Sequence, residues 1–300
     1  MSTAQSGQNL SNGLLSPELI IAVIGGIIST VIGTLFVDWI KSRTTVKVKL
    51  LTKSTDKDVE GFVELYDKLI DENQRIDPAE IISWIDEDRV LRKLETHNYL
   101  HYLFVGKLSG SVVSFLKTMY CKDTQYMFIA YYGIDTSVER ARRLAAPAMM
   151  KSLANLIKKD LKDCKAVIAE VEPPNMKIDE RENTERRARI RLFKETANRL
   201  SYPMYEIGIK YLQPQMEIAD DEKYLEEESI LLYAPVSDPK PYNKKIPKEK
   251  VLDILRFIYL QIYRPTFRHD PENDFSYQRY LNTLLQHYET TLPDTVSLKG

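Results

Sequence analysis

"ERARRLAAPAMMKSLANLIKK", Glu139–Lys159, admits two readings, and the choice between them decides how the chain is understood. In one, the stretch is the opening of an amphipathic helix. In the other, it is a phosphate cradle, a turn of small residues that delivers a helix N-terminus to an anion. Unpaired N–H groups and a partial positive charge make such a terminus a natural anion site. Small side chains at Ala145, Ala146 and Ala148 let a phosphate approach the backbone, and Arg142 and Arg143, with Arg140 nearby, add charge-assisted contacts.

The neighbouring segments frame the choice. "QYMFIAYYGID", just upstream, is rich in aromatic and β-branched residues and reads as a strand. "KAVIAEVE", downstream, is a short strand with apolar residues on both faces, as in the middle of a sheet. Further out, "VKVKLLTK" alternates at period two, and "DKDVEGFVELYDKLIDE" carries a helical apolar stripe opened by acids. "PAEIISWIDEDRVLRKL" begins with a proline suited to a first helical position. "NYLHYLFVGKLSGSVVSFLKTMY" reads as a hairpin turning at Lys107–Gly110. "ENTERRARIRLFKETANRLS" is a charged helix, and "YEIGIKYLQPQM" and "SILLYAPV" are closing strands. The order is β-α-α-β-β-β-α-β-α-β-β, a mixed α/β sheet flanked by helices. Two amphipathic helices within residues 246–293 follow as a hairpin that covers the sheet or receives a partner helix.

Composition narrows the classes. Three hundred residues with a net charge of −1 provide no global field for nucleic acid. Two cysteines and four histidines, none at ligand spacing, argue against a disulfide framework or a metal site. "LIIAVIGGIISTVIGTLFV", Leu19–Val37, has no charge and is long enough for a membrane helix, expected over 18–40. Residues 1–17 lack Lys and Arg, whereas Lys41, Arg43, Lys47, Lys49 and Lys53 follow the span, so the C-terminal body is expected in the cytoplasm and a short tail outside. Gly25, Ser29 and Gly33 form a small-residue stripe suited to a homodimer contact.

Three pieces in this order resemble the GNAT acetyltransferase superfamily over roughly Val46 to Val236. Arg143-Leu144-Ala145-Ala146-Pro147-Ala148 is similar to the family's pyrophosphate loop, Arg/Gln-x-x-Gly-x-Gly/Ala, at its first and last positions. "VIAEVEPP" is similar to its fifth strand. "RIRLFKETANRLSYP", with "YLQP" beyond it, resembles a subset reading Arg-Ile-x-Phe-Tyr-Glu and then Tyr-x-Gln-Pro. Ala146 stands where the family has glycine, and Pro147 removes an N–H from the loop. The resemblance implies a GNAT-like domain over 44–237 that transfers an acetyl group from acetyl-CoA to an amine. It also implies a thioester held between the fourth and fifth strands, near Gly133, Ile134 and Asp135.

A base must take a proton from the attacking ammonium. Glu170 is the first candidate, Glu172 the second and Asp135 the third; the two glutamates, at i and i+2, are expected on one strand face. Phe193 falls where the family has a proton-donating tyrosine, so either Tyr202 or Tyr205 stands in or the thiolate leaves without help. Arg186, Arg187, Arg189, Arg191 and Lys194 form a solvated face or meet the 3′-phosphate of coenzyme A. Glu217, Asp220, Asp221, Glu222, Glu226, Glu227 and Glu228 form either a solvated loop or an acidic rim that suits a cationic acceptor. Ala146, Pro147 and Phe193 keep a second reading open, a catalytically degenerate module that binds acyl-CoA or a protein at the membrane.

Overall fold

The alternating apolar runs pair into a single ten-stranded sheet among the described residues of the computed structural model. These residues are 45–72, 75–91, 97–174, 179–214, 227–238, 241–264 and 271–300. Those from Val46 to Gly300 form one compact unit. The expected membrane helix at 18–40, its Gly25/Ser29/Gly33 stripe and the acids from Glu217 to Glu226 lie outside the described residues. No helix among the described residues is long and apolar enough to cross a membrane.

The elements run β1 (Lys47–Leu51), α1 (Val59–Leu69), α2 (Pro78–Leu91), β2 (Tyr99–Leu108), β3 (Ser111–Cys121), β4 (Tyr126–Ile134), α3 (Glu139–Asp160), β5 (Ala166–Val171) and α4 (Glu180–Arg199). Then come β6 (Tyr205–Ile207), β7 (Tyr211–Gln213), β8 (Glu227–Pro235), β9 (Lys245–Pro247), α5 (Lys248–Arg256), a π-helix (Phe257–Tyr263), α6 (Pro271–Thr291) and β10 (Thr295–Lys299). The sheet order is β1-β2-β3-β4-β5-β8-β6-β10-β9, with β7 also paired to β8. Among the described residues only β4 and β5 are parallel, and α3 makes their crossover. The β2–β3 hairpin closes on Ser109 and Gly110, both at positive φ (55° and 95°), as a two-residue turn that follows the strand twist requires.

Helices cover both faces. On one, α3 and α4 pack Met149, Leu153, Ile157, Phe193 and Ala197 against Phe104, Leu116, Ile129, Val167 and Leu232. On the other, α1 and α2 cover the β1–β3 side with Phe62, Tyr66 and Ile81. Leu255, Tyr259, Ile262, Leu281 and Tyr288 of the C-terminal helices share a core with Ile168, Leu231 and Tyr233 of β5 and β8.

Several sequence expectations change. The segment "YEIGIKYLQPQM" gives two three-residue strands, because Gly208 and Lys210 lie between separate pairings to β8. A last strand, β10, pairs with β6 and β9; its alternating exposed and buried residues lie beyond the strands expected from the sequence. The largest change concerns Glu139–Asp160, which is one continuous helix from its first residue. Ala141 and Ala145 are fully buried and Ala146 nearly so. Small side chains here let α3 lie close on the sheet. A Cβ on Gly106 of β2 would come within 2.9 Å of Met149 Cε.

Candidate active site

The middle of the sheet opens into a fork. β4 and β5 pair from Tyr126↔Ala166 to Ile129↔Ala169 and no further, although β4 continues to Ile134 and β5 to Val171. A bulge marks the parting point. Lys117 of β3 pairs with Tyr131 and Thr118 with Ile129, so Ala130 is the extra residue. Ala130 and Tyr131 therefore turn to the same face, and Tyr132 to the other. Beyond the bulge, the facing edges of β4 and β5 have no strand partner in each other.

Glu170 stands at this fork. Its carboxylate accepts hydrogen bonds from Tyr263 Oη at 2.6 Å and from Tyr211 Oη. Burial pushes the carboxyl up to about 7, against the two phenol hydrogen bonds that favour its charged form. Tyr263 comes from the π-helix, and Tyr211 opens the "YLQP" segment. Behind them, Gln213 Nε2 donates to Tyr263 Oη at 2.9 Å, and Ser229 Oγ donates to Gln213 Oε1 at 2.7 Å.

On the α3/α4 face of the fork, Tyr132 packs edge-on against Phe193, with ring centroids 5.1 Å apart. Its hydroxyl is buried without a hydrogen-bond partner among the described residues, and burial raises its pKa. On the opposite face, Lys117 lies two strands from Glu170, fully buried. Its ammonium meets His101 Nδ1 at 2.7 Å and sits 4.8 Å over the Trp84 ring. Burial lowers its pKa to about 7.

The other expected site residues lie elsewhere. Glu172 does not share a face with Glu170. The strand ends at Val171, and Glu172 turns to α4, where Arg186 Nε and Arg189 Nη1 each approach its Oε2 to 3.4 Å. Asp135 closes the turn before α3, accepting from Ser137 N at 3.1 Å and pairing with Lys68 at 3.0 Å. Those contacts, the hydrogen bond from the Ser137 hydroxyl foremost, lower its pKa and make it a poor base. Gly133 is in contact with Phe115, whose ring would lie 2.4 Å from an added Cβ, so its missing side chain serves packing. Ile134 joins a small cluster with Leu108, Val113 and Ala141.

The cradle is also corrected. Arg143, Ala145, Ala146 and Ala148 lie inside α3, where backbone N–H groups close helical bonds instead of facing a ligand. Alanine is the strongest helix former and fills no positive-φ role here, which explains the outcome physically. Arg142 is exposed, and Arg143 pairs with Glu139 one turn away at 3.3 Å. Tyr202 lines a small apolar void at the far end of α4, with Leu153 and Val167. Tyr205 pairs across β8 with Tyr233. Neither bonds Glu170. Tyr211 and Tyr263 do, and the only sequence signal for Tyr211 was its place in "YLQP"; Tyr263 had none, because its contact is made across 93 residues.

A separate cleft of about 710 Å3 lies between α4, the start of β8 and the end of β10. Its lining includes Arg187, Arg191, Lys194, Glu206, Ser229 and Lys299. Lys299 and Lys194 both approach Glu206, at 2.8 and 3.8 Å.

No family profile matches the chain, and no curated protein sequence is similar to it. Similar solved structures include the ribosomal-protein-S5-alanine acetyltransferase of Vibrio fischeri (13% identity, 65% of this chain and 96% of that one, TM-score 0.39). The ribosomal-protein-S18-alanine N-acetyltransferase of Escherichia coli is similar at 13% identity over 66% of this chain and 98% of that one, with a TM-score of 0.39. Spermidine N-acetyltransferase of Vibrio cholerae is similar at 8% identity, 64% and 94% coverage and a TM-score of 0.38. At these scores the likeness does not fix a family, and function has to be read from this chain's own residues.

Proposed function

We propose that the chain transfers an acetyl group from acetyl-CoA to an amine, with Glu170 as the base. The observation that carries this reading is the fork: two parallel strands part at a bulge, and Glu170, one residue past their last pair, carries a largely buried carboxyl with a pKa of about 7. A base of that pKa is substantially ionised near neutrality and can accept a proton from an ammonium.

The residues fit acetyl-CoA in part. The unpaired edges of β4 and β5 suit the amides of its pantetheine arm, which can add to the sheet as a strand does. The orphaned Tyr132 hydroxyl offers a donor beside the same gap. The phosphate end does not fit Ala145 and Ala146. It is left with the α3 amides that precede Arg142, whose own N–H bonds Val138 O, and with the Arg140 and Arg142 side chains nearby. When bound, the co-substrate would supply an acyl group already activated as a thioester. This chain's own contribution is to dry the site, hold Glu170 with two phenols, and accept the acceptor's proton.

The test is thiol release from acetyl-CoA with a panel of primary amines, on the full chain. Activity in the wild type that Glu170→Gln reduces by about a hundredfold supports the assignment, within the range of general-base effects. A second reading, a non-catalytic acyl-CoA-binding module, is favoured by the helical course of Arg143–Ala148 and by Phe193. Binding of acetyl-CoA without thiol release would select it. We also propose that residues 18–40 anchor the protein with its C-terminal body in the cytoplasm and a dimer contact through Gly25, Ser29 and Gly33. Release of the protein from membranes by alkaline carbonate would refute the anchor.

A further inference from the structure

We infer that Gln213 is a positioning residue that sets the direction of a hydrogen-bond chain ending on Glu170, and so controls how readily that carboxyl holds its proton. The inference rests on the reading of Glu170 as a functional base, but its test does not require acetyl transfer.

Three hydrogen bonds form the chain: Ser229 Oγ to Gln213 Oε1 at 2.7 Å, Gln213 Nε2 to Tyr263 Oη at 2.9 Å, and Tyr263 Oη to Glu170 Oε2 at 2.6 Å. Each link constrains the next. An ionised Glu170 can only accept, so the single hydrogen of Tyr263 must point to it. The phenol oxygen then needs a donor, and the amide nitrogen of Gln213 supplies one. Ser229, itself nearly buried, holds the amide oxygen on the other side and fixes that orientation.

The chain also runs in reverse. When Glu170 is protonated it can donate to Tyr263, Tyr263 to an inverted Gln213 amide, and that amide's N–H to Ser229. Every member is both donor and acceptor, so both protonation states leave the buried groups satisfied. A group that must gain and lose a proton in a dry interior needs such a support, because an unmatched buried donor or acceptor is costly. Two further features bear on the same carboxyl. Tyr211 donates to its other oxygen, and the Tyr263 phenol is placed by a π-helix, a geometry often found at functional sites.

The expected behaviour has a definite sign. In Gln213→Glu a carboxylate replaces the amide and can only accept. Tyr263 then turns its hydrogen away from Glu170, and the Glu170 pKa rises by about one unit. Tyr263→Phe removes the donor altogether and raises it similarly.

The experiment is infrared difference titration of the Glu170 carboxyl band in the full chain, assigned by its loss in Glu170→Gln. It is done on wild type, Gln213→Glu, Tyr263→Phe and the double variant, each checked by near-ultraviolet circular dichroism. The inference predicts an upward shift in each single variant and a smaller-than-additive shift in the double, because the effect of residue 213 passes through Tyr263. An unmoved titration in Gln213→Glu would overturn it. So would a Gln213→Glu shift that persists in full in the Tyr263→Phe background, since that is direct charge repulsion. Failure of acetyl transfer with these shifts intact would overturn the proposed function alone.

Discussion

At the scale of single residues, burial decides the chemistry. Lys117 is buried and Glu170 largely so, and each is pushed toward its neutral form, to about 7 from ordinary values of 4.5 and 10.5. The signs of the resulting pH dependence are opposite. The folded pKa of Glu170 lies above its unfolded value, so its contribution is intact below about pH 4.5 and is lost as pH rises toward 7, about 3 kcal/mol in all. Lys117 has a depressed folded pKa, so its contribution is intact above about pH 10.5 and is lost as pH falls toward 7. Urea unfolding across pH 4–8 is therefore expected to show a stability decline that Glu170→Gln flattens. Between pH 7 and 10 the rising limb is expected to flatten in Lys117→Met. Identical pH profiles in wild type and variants would show that these groups are more solvated than the structure has them.

At the scale of elements, the test falls on α3. If Arg143–Ala148 is helix interior, Pro147 breaks one backbone bond and crowds the preceding turn. Pro147→Ala is then expected to stabilise the protein by about 2 kcal/mol, the helix-interior penalty less the unfolded-state entropy that proline removes. A neutral or destabilising result in thermal unfolding would restore the non-helical cradle. Ala145→Leu is expected to cost about 1–3 kcal/mol through overpacking, because Ala145 is fully buried. The same helix shows how far the sequence could be read. Its apolar spacing and the flanking strands "QYMFIAYYGID" and "KAVIAEVE" were legible because hydrophobic period is a local signal. Whether its first two turns were helix or loop was not, because alanine is compatible with both, and the outcome depends on how closely α3 lies on Gly106. Glu170 was legible as a strand carboxylate. The divergence of Glu172 was not, since it depends on where the strand ends.

At the scale of the whole molecule, the C-terminal helices are part of the core. Leu255, Tyr259 and Leu281 share one buried cluster with Ile168 and Leu231. Tyr288 Oη, on α6, receives the Leu212 amide at 2.8 Å and donates to Lys210 O at 2.9 Å. The sequence offered the amphipathic pattern of these helices but not their target, because pairings across 76 to 93 residues leave no local trace. Truncation after Val236 is accordingly expected to leave an insoluble or molten chain, seen as loss of near-ultraviolet dichroism. A cooperative, soluble fragment would show that the sheet folds without its C-terminal cover.

The fork between β4 and β5 is proposed to receive the thioester arm of acetyl-CoA. Hydrogen–deuterium exchange of the full chain, with and without acetyl-CoA, tests it most directly. Ligand is expected to slow exchange of the fork-facing amides in Ala130–Ile134, where pairing to β5 has ended. Protection confined to other segments, or saturating acetyl-CoA with no change at Ala130–Ile134, would contradict it.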